Sequence, residues 1–79
     1  MIHELKCLPQ FFFEVSNGKK TFEVRRDDRP FRVDDVLMLR EWNPETETYT
    51  GRFLFARVIY ILRDKEYCKE GFCIMSIKI

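Results

Sequence analysis

This 79-residue sequence has little of what usually marks an enzyme or an exported protein. It contains one histidine and three glycines, and it has no Gly-rich phosphate loop and no His-x-x-x-His pair. It also has no apolar run of 18 residues and no charged leader followed by an apolar stretch. Because neither a membrane span nor a signal peptide is supported, we expect a cytoplasmic protein without a membrane partner.

The net charge of the chain is only +1, so the sequence is not the strongly basic chain that is typical of nucleic-acid binding. Composition is 46% hydrophobic and 34% charged, which indicates a folded chain rather than a disordered one. A chain of this length cannot divide its apolar residues between two cores, so we predict a single domain over residues 1–79. Lysine and arginine cluster between residues 19 and 32, which is typical either of a solvated edge or of a local basic site.

The three cysteines, Cys7, Cys68 and Cys73, are an odd number in a chain without a leader, and we expect reduced thiols. Together with His3 they are the four ligands that a structural zinc needs. The spacings Cys68-x4-Cys73 and His3-x3-Cys7 are not those of ordinary zinc knuckles, and small buried cysteines are common in cores. We therefore expect no metal and no cofactor.

Apolar periodicity predicts five strands and one early helix. The predicted helix occupies residues 9–17, and the predicted strands occupy residues 2–8, 20–26, 36–42, 52–62 and 72–79. Residues 43–51 are polar and are predicted to form a loop that is long enough to be a mobile hairpin tip. Strand 36–42 begins with an almost continuous apolar run, which predicts burial on both faces. The fold class is therefore mostly β (α+β), a small barrel of about five strands with one short helix after the first strand.

Strand 52–62 is predicted to be central because both of its faces are apolar, yet Arg57 lies within one of them. A guanidinium among apolar side chains needs a carboxylate partner, and the candidates are Glu23 and Glu41. The alternative is that Arg57 lies at an open edge of the sheet.

The stretch Gly18 to Arg25 has the highest density of candidate functional side chains. If residues 20–25 are extended, Phe22 and Val24 point to the core while Thr21, Glu23 and Arg25 line the other face. A carboxylate and a guanidinium on one face suit the edge of a nucleobase or a phosphate. The alternative is a solvated ion pair worth ~0–1 kcal/mol. Gly18 is predicted to supply a positive φ where the helix ends.

The pattern G-x-K-x-x-E-x-R over residues 18–25 resembles the signature of ASCH domains in the PUA-like superfamily. The chain more specifically resembles the bacterial and phage domain-of-unknown-function family 3850. Further fragments of that family's pattern occur in order at His3-x-Leu5-Lys6, Asp28-Arg29, Val33-x-Asp35, Tyr49-Thr50-Gly51-Arg52 and Tyr60-Ile61-Leu62. Asp34 stands where the family has glycine, and because aspartate is tolerated in left-handed turns we expect the same bend there. The resemblance implies a PUA-like pseudobarrel.

PUA-like domains typically bind RNA or a modified base in a cleft beside the barrel, so the resemblance implies an RNA-binding or nucleotide-binding domain. It implies that Lys20 contacts a phosphate or carbonyl, that Glu23 accepts from an exocyclic amine, and that Arg25 holds Glu23 or a second phosphate. Trp42 is the candidate stacking platform, with a core role as its alternative. The remaining candidate ligand-binding residues are Arg26, His3 and Lys6, and of the last two, which lie on opposite strand faces, at most one is expected to reach the cleft.

Two alternatives remain open. Some ASCH relatives are amidohydrolases that cleave an acyl group from a modified cytidine with a Lys base and a Thr nucleophile. Glu23 stands here at the threonine position, so the catalytic version that remains has Glu23 activating water and Lys20 polarising a carbonyl. The second alternative is a protein-interaction module that keeps the cleft only as a scaffold.

Overall fold

A computed structural model describes all residues, 1–79, as one five-stranded sheet and one helix. The elements are β1 (Ile2–Cys7), α1 (Pro9–Ser16), β2 (Phe22–Arg26), β3 (Val36–Asn43), β4 (Thr48–Leu62) and β5 (Phe72–Lys78). The predicted mostly β fold, with five strands and a short helix after the first strand, is confirmed. No helix in the chain has the length and apolar character needed to cross a bilayer.

The sheet has the strand order β1-β3-β4-β5-β2 and curls into a half-barrel. β1 pairs with β3 in parallel, and the other three pairings are antiparallel. β1 and β2 are therefore the two edges, and guanidinium groups join them. Arg25 Nη2 donates to the Lys6 carbonyl at 2.7 Å, and Arg29 Nη1 donates to the Glu4 carbonyl at 3.0 Å. We call the gap between these two edge strands the seam.

The core fills the inner face of the curled sheet. Leu37 and Leu39 of β3 are fully buried there, and α1 covers this face with Phe12 and Val15. Burying a side chain of this size contributes about 1.5–3 kcal/mol relative to leaving it in water. The helix therefore closes one side of the barrel and brings its first turn close to the seam.

β4 begins four residues earlier than the sequence predicts. Trp42 pairs with Tyr49 beyond a bulge, and Asn43 pairs with Thr48, so most of the predicted 43–51 loop belongs to a hairpin. The Trp42 and Tyr49 rings pack edge to face at 4.9 Å, and Thr50 Oγ1 donates to Glu41 at 2.7 Å. These nonlocal contacts extend the pairing of β3 with β4 into residues whose local sequence predicts a loop.

The outer face of the sheet is more exposed than predicted. Met38 of β3 is half-buried, and Phe53 and Phe55 of β4 are about half exposed, because no element packs on that face. Arg57 also lies there, and its partner is Asp34, whose Oδ1 accepts from Arg57 Nη1 at 2.9 Å. The expected bend at Asp34 is confirmed, with φ at 77°.

β2 has the opposite orientation to the one predicted. Glu23 is only 3% exposed, whereas Phe22 and Val24 are 45% and 50% exposed. The cause is the register with β5, in which Glu23 lies opposite the fully buried Met75. Directly opposed residues of an antiparallel pair share a face, so this register turns the carboxylate inward.

Candidate ligand-binding site

A hollow of about 370 Å³ lies in the seam beside the first turn of α1. We call it the seam pocket, and its lining residues are Lys6, Cys7, Leu8, Phe11, Lys20, Phe22, Glu23, Val24 and Arg25. Its volume is within the ~300–1,000 Å³ range of small-molecule sites. Its lining includes three of the predicted ligand-binding residues, Lys20, Glu23 and Arg25.

Local chain geometry explains why the helix and β2 meet at this pocket. Pro9 opens α1 directly after β1, where a proline fits because the first helical N–H has no partner. Gly18 has φ of +81°, as predicted, and this left-handed residue ends the helix. The amides of Lys19 and Lys20 then donate to the Glu14 carbonyl at 3.0 and 2.9 Å. The turn therefore places Lys20 at the pocket, two residues before β2 begins.

Glu23 is held by two cations from opposite sides. Lys20 Nζ donates to Oε1 at 2.8 Å, and Arg25 Nε donates to Oε2 at 2.9 Å. A buried carboxylate requires such compensation, since removal of its hydration shell otherwise costs several kcal/mol. The two ion pairs explain why Glu23, rather than an apolar neighbour, faces inward on β2.

Arg25 also connects the two edges of the sheet. Its Nε binds Glu23 while its Nη2 donates to the Lys6 carbonyl at 2.7 Å. Only a planar fork with several fixed donors makes both contacts at once, so lysine is not equivalent here. Arg25 therefore sets the width of the pocket as well as part of its charge.

Two phenylalanine rings flank the mouth of the pocket. Lys20 Nζ lies 5.5 Å from the Phe11 ring centroid and 4.8 Å from that of Phe22. Both rings are close to half exposed. Exposed ring faces beside a charged group suit a planar ligand, because stacking and charge recognition act on neighbouring parts of it.

The charge balance of the pocket favours an anion. Three cations, Lys6, Lys20 and Arg25, line it together with one carboxylate, Glu23, which leaves a formal charge of +2. Lys20 and Arg25 already neutralise Glu23, whereas Lys6 has no carboxylate partner. A ligand that combines a ring with a phosphate or another anionic group matches this arrangement.

Cys7 lies in the wall of the pocket but is not an activated nucleophile. Burial, reinforced by the negative charge of Glu23, raises the pKa of the Cys7 thiol to about 11. A thiol with that pKa is almost entirely protonated near neutral pH, and the thiolate is the reactive form. Its role here is to pack the pocket wall.

His3 does not line the seam pocket. Its Nε2 lies 2.8 Å from Asp35 Oδ2, and its ring packs edge to face against Phe31 at 4.7 Å. Asp35 also accepts from the backbone N–H of Arg32 at 3.0 Å. The hydrogen bond from His3 is the main reason that the pKa of Asp35 falls to about 2. His3 therefore helps to fix the loop before β3, and Lys6 is the one of the two that reaches the pocket.

The other predicted site residues lie around the pocket rather than in it. Trp42 is partly buried, and Lys6 Nζ lies 4.0 Å from its ring centroid, so a single side chain separates this ring from the pocket. Arg26 is exposed outside the pocket, with its guanidinium 5.1 Å from the Phe72 ring. The alternation of β2 puts Arg26 on the face opposite Glu23.

The lining contains no serine, threonine or tyrosine hydroxyl. Thr21, the nearest threonine in sequence, is exposed, and its carbonyl accepts from the amide of Ile77 at 3.0 Å. A hydroxyl nucleophile is therefore not positioned in the pocket. Glu23 is the one lining group suited to activating a water molecule.

His3 and the cysteines are not gathered into a metal-binding group. No cluster of three or more His, Cys, Asp or Glu side chains has the geometry to hold an ion. All three cysteines are free and buried, and Cys68 Sγ donates to the Leu62 carbonyl at 3.3 Å.

Sequence reasoning missed the apolar part of the lining and the seam itself. Leu8 and Phe11 line the pocket because the helix starts immediately after β1, and that adjacency was visible in the sequence as Pro9 after a strand pattern. The role of Arg29 as a bridge to Glu4 had no local signal. It depends on two chain segments, 25 residues apart, meeting at the sheet edges.

Two comparisons with known proteins give matches to this chain. The family model described as "Domain of unknown function (DUF3850)" matches residues 2–77. The chain is also similar to the "Uncharacterized 12.9 kDa protein in GpA 3'region" of Escherichia phage P2, with 40% identity over 57 residues. That alignment covers 72% of this chain and 50% of the phage protein, so the chain spans about half the length of the curated relative that it matches.

Proposed function

This chain belongs to the DUF3850 family, and we propose that it binds a nucleotide, either free or within RNA, in the seam pocket. The observation that carries the proposal is the buried Glu23, clamped by Lys20 and Arg25 in a pocket that carries a formal charge of +2 and two exposed rings. Such a pocket combines a stacking surface, an acceptor for an amine and cations for a phosphate.

Each part of the ligand has a matching group in the proposal. The base stacks at the mouth against Phe11 or Phe22, and its exocyclic amine donates to a free lone pair of Glu23. Lys6 faces the phosphate, because it is the lining cation without a carboxylate partner. The resemblance of residues 18–25 to the ASCH signature supports this assignment, since it concerns the same three charged residues.

The test is calorimetric titration of the protein with the four ribonucleoside monophosphates and with their nucleosides. We expect at least one monophosphate to bind, and Glu23→Gln to weaken it about tenfold or more, since a lost charge-assisted hydrogen bond is worth about 1.5–3 kcal/mol. Arg25→Lys is also expected to weaken binding, because lysine cannot hold Glu23 and the Lys6 carbonyl at the same time. Arg26→Lys is the matched control, because Arg26 neighbours the site in sequence but lies outside the pocket. Binding that survives in both pocket variants contradicts the proposal.

Hydrolysis of an acylated nucleoside is the second candidate. The specific observation in its favour is the 2.8 Å contact between Lys20 Nζ and Glu23 Oε1 in a pocket that admits a small ligand. In this version Glu23 takes a proton from water while Lys20 polarises the amide carbonyl, and the water oxygen bonds to the carbonyl carbon. The C–N bond then breaks as Glu23 returns the proton to the departing amine, which releases the nucleoside and a carboxylic acid. Incubation with N4-acetylcytidine and chromatographic detection of released cytidine tests it, and an equal yield from Glu23→Gln would rule out the assigned base.

A further inference from the structure

A second group of rings and cations lies on the outer face of the sheet, next to the seam pocket. We call it the ring patch, and its residues are Lys6, Arg40, Trp42 and Tyr49. Lys6 Nζ lies 4.0 Å from the Trp42 ring centroid, and Arg40 Cζ lies 3.6 Å from that of Tyr49. The two rings contact each other edge to face at 4.9 Å. Two cation–ring pairs are thus joined into one surface.

The ring patch is continuous with the pocket through one side chain. Lys6 lines the pocket and also covers Trp42, so it belongs to both surfaces. Lys6 and Arg40 are register partners on β1 and β3, which places their backbones ~4.8 Å apart. A ligand that leaves the pocket past Lys6 therefore meets Arg40 and Tyr49 next.

The rings of the patch remain available to a ligand. Tyr49 is exposed and Trp42 is only partly buried, and no element of the chain covers this part of the sheet. Arg40 also forms an ion pair with Glu4, which holds its guanidinium in place over the Tyr49 ring. A guanidinium fixed in that way keeps further N–H donors for a phosphate beside the ring on which a base stacks.

We propose that the ring patch binds the nucleotides that flank the one in the seam pocket, so that the ligand is a single-stranded nucleic acid rather than a free nucleotide. This inference rests on the proposed function of the pocket. Alternating rings and cations match the alternation of bases and phosphates along a strand, and the shared Lys6 places the two subsites in succession. A free mononucleotide contacts the patch only at Lys6 and leaves Arg40, Trp42 and Tyr49 without a ligand.

The experiment compares ligands of one and six nucleotides at the same salt concentration. AMP and UMP are titrated beside A6 and U6, as RNA and as DNA, with fluorescence of Trp42, the only tryptophan, as a second readout. The wild-type protein is expected to bind a hexamer about tenfold or more tighter than the corresponding monophosphate, since each stacked base contributes about 1–3 kcal/mol. Trp42 fluorescence is expected to change more with the hexamer than with the monophosphate, because the monophosphate reaches Lys6 beside the ring but not the ring itself.

Variants separate the two sites. Tyr49→Ala and Arg40→Gln are expected to remove the hexamer's advantage while leaving monophosphate binding unchanged, and Tyr60→Ala is the matched control on an exposed tyrosine elsewhere in β4. Arg40→Gln is also expected to lower the slope of log affinity against log salt by about 0.7 for the hexamer, the value for one lost phosphate contact on a single strand.

The outcomes distinguish the patch from the pocket. Equal affinity for hexamer and monophosphate overturns the patch and leaves the pocket proposal standing. Hexamer binding that depends on Tyr49 but not on Glu23 overturns the pocket and keeps the patch as an independent site. Absence of binding by every ligand overturns both.

Discussion

Removing the charge of Glu23 is the most informative single perturbation of this protein. Glu23→Gln keeps the shape of the side chain but leaves Lys20 and Arg25 facing each other without an anion between them. Breaking a fully buried ion pair costs about 3–5 kcal/mol, whereas an exposed pair is worth about 0–1 kcal/mol. The side chains of Lys20 and Arg25 are 16% and 24% exposed, which places this site between the two limits.

We therefore expect Glu23→Gln to lower the free energy of unfolding by about 2 kcal/mol. For a domain of this size that loss corresponds to a fall in Tm of roughly 8–16 °C. A domain of 79 residues has a total stability of about 4–12 kcal/mol, so the variant is expected to remain folded and usable in binding assays.

The assay is urea unfolding followed by the fluorescence of Trp42, with circular dichroism as an independent probe. Glu66→Gln is the matched control, because Glu66 is exposed in the segment before β5 and forms no ion pair, and its change is expected to stay within about 0.5 kcal/mol. A double-mutant cycle with Arg25→Gln isolates the pairwise coupling. A change below about 0.5 kcal/mol for Glu23→Gln, or a coupling near zero, would refute the view that the two cations stabilise a buried carboxylate.

Three further predictions follow from individual contacts. Because the pKa of Cys7 is raised to about 11, alkylation of Cys7 at pH 8, followed by peptide mass spectrometry, is expected to be much slower in the folded protein than in urea. Glu23→Gln is expected to accelerate that reaction, and an unchanged rate would exclude the electrostatic influence of Glu23. Because the pKa of Asp35 is lowered to about 2 from a reference value of 3.8, the Asp35 carboxylate stabilises the fold above pH 4, and that stabilisation is lost as the pH falls towards 2. In Asp35→Asn the free energy of unfolding is expected to fall less steeply than in the wild type as the pH is lowered below 4. Parallel wild-type and variant curves would contradict this. Gly18→Ala is expected to cost about 1–2 kcal/mol in urea unfolding, because φ is +81° while open space surrounds the new Cβ, and Gly18→Asn is expected to cost less.

The elements of the fold were predictable because their signals are local. Pro9 and Gly18 mark the ends of the helix segment, and apolar alternation marks the strands. A hairpin tip over residues 43–51 was predicted, but its short loop was not, because a nonlocal ring contact between Trp42 and Tyr49 beyond a bulge extends the strand pairing into the polar residues.

Three charged residues of the candidate site were predicted to lie together, but the orientation of β2 was predicted wrongly. Lys20, Glu23 and Arg25 do contact one another, although Lys20 lies just before β2 and not on the strand as predicted. Hydrophobic patterning then directed Phe22 to the core, and this was wrong, because pairing with β5 fixes the register and two cations compensate the buried charge. The hydrophobic pattern of one strand does not determine its register with the strand it pairs with.

The most direct test of the central claim, that the seam pocket is a ligand site, is an amide-shift NMR titration of the labelled domain with nucleoside monophosphates. We expect shifts concentrated at residues 6–11 and 20–25, with residues across the sheet from the seam unchanged. Shifts confined to the amides of the exposed aromatic residues of β4, or no shifts with any nucleotide, would contradict the claim and favour the protein-interaction alternative.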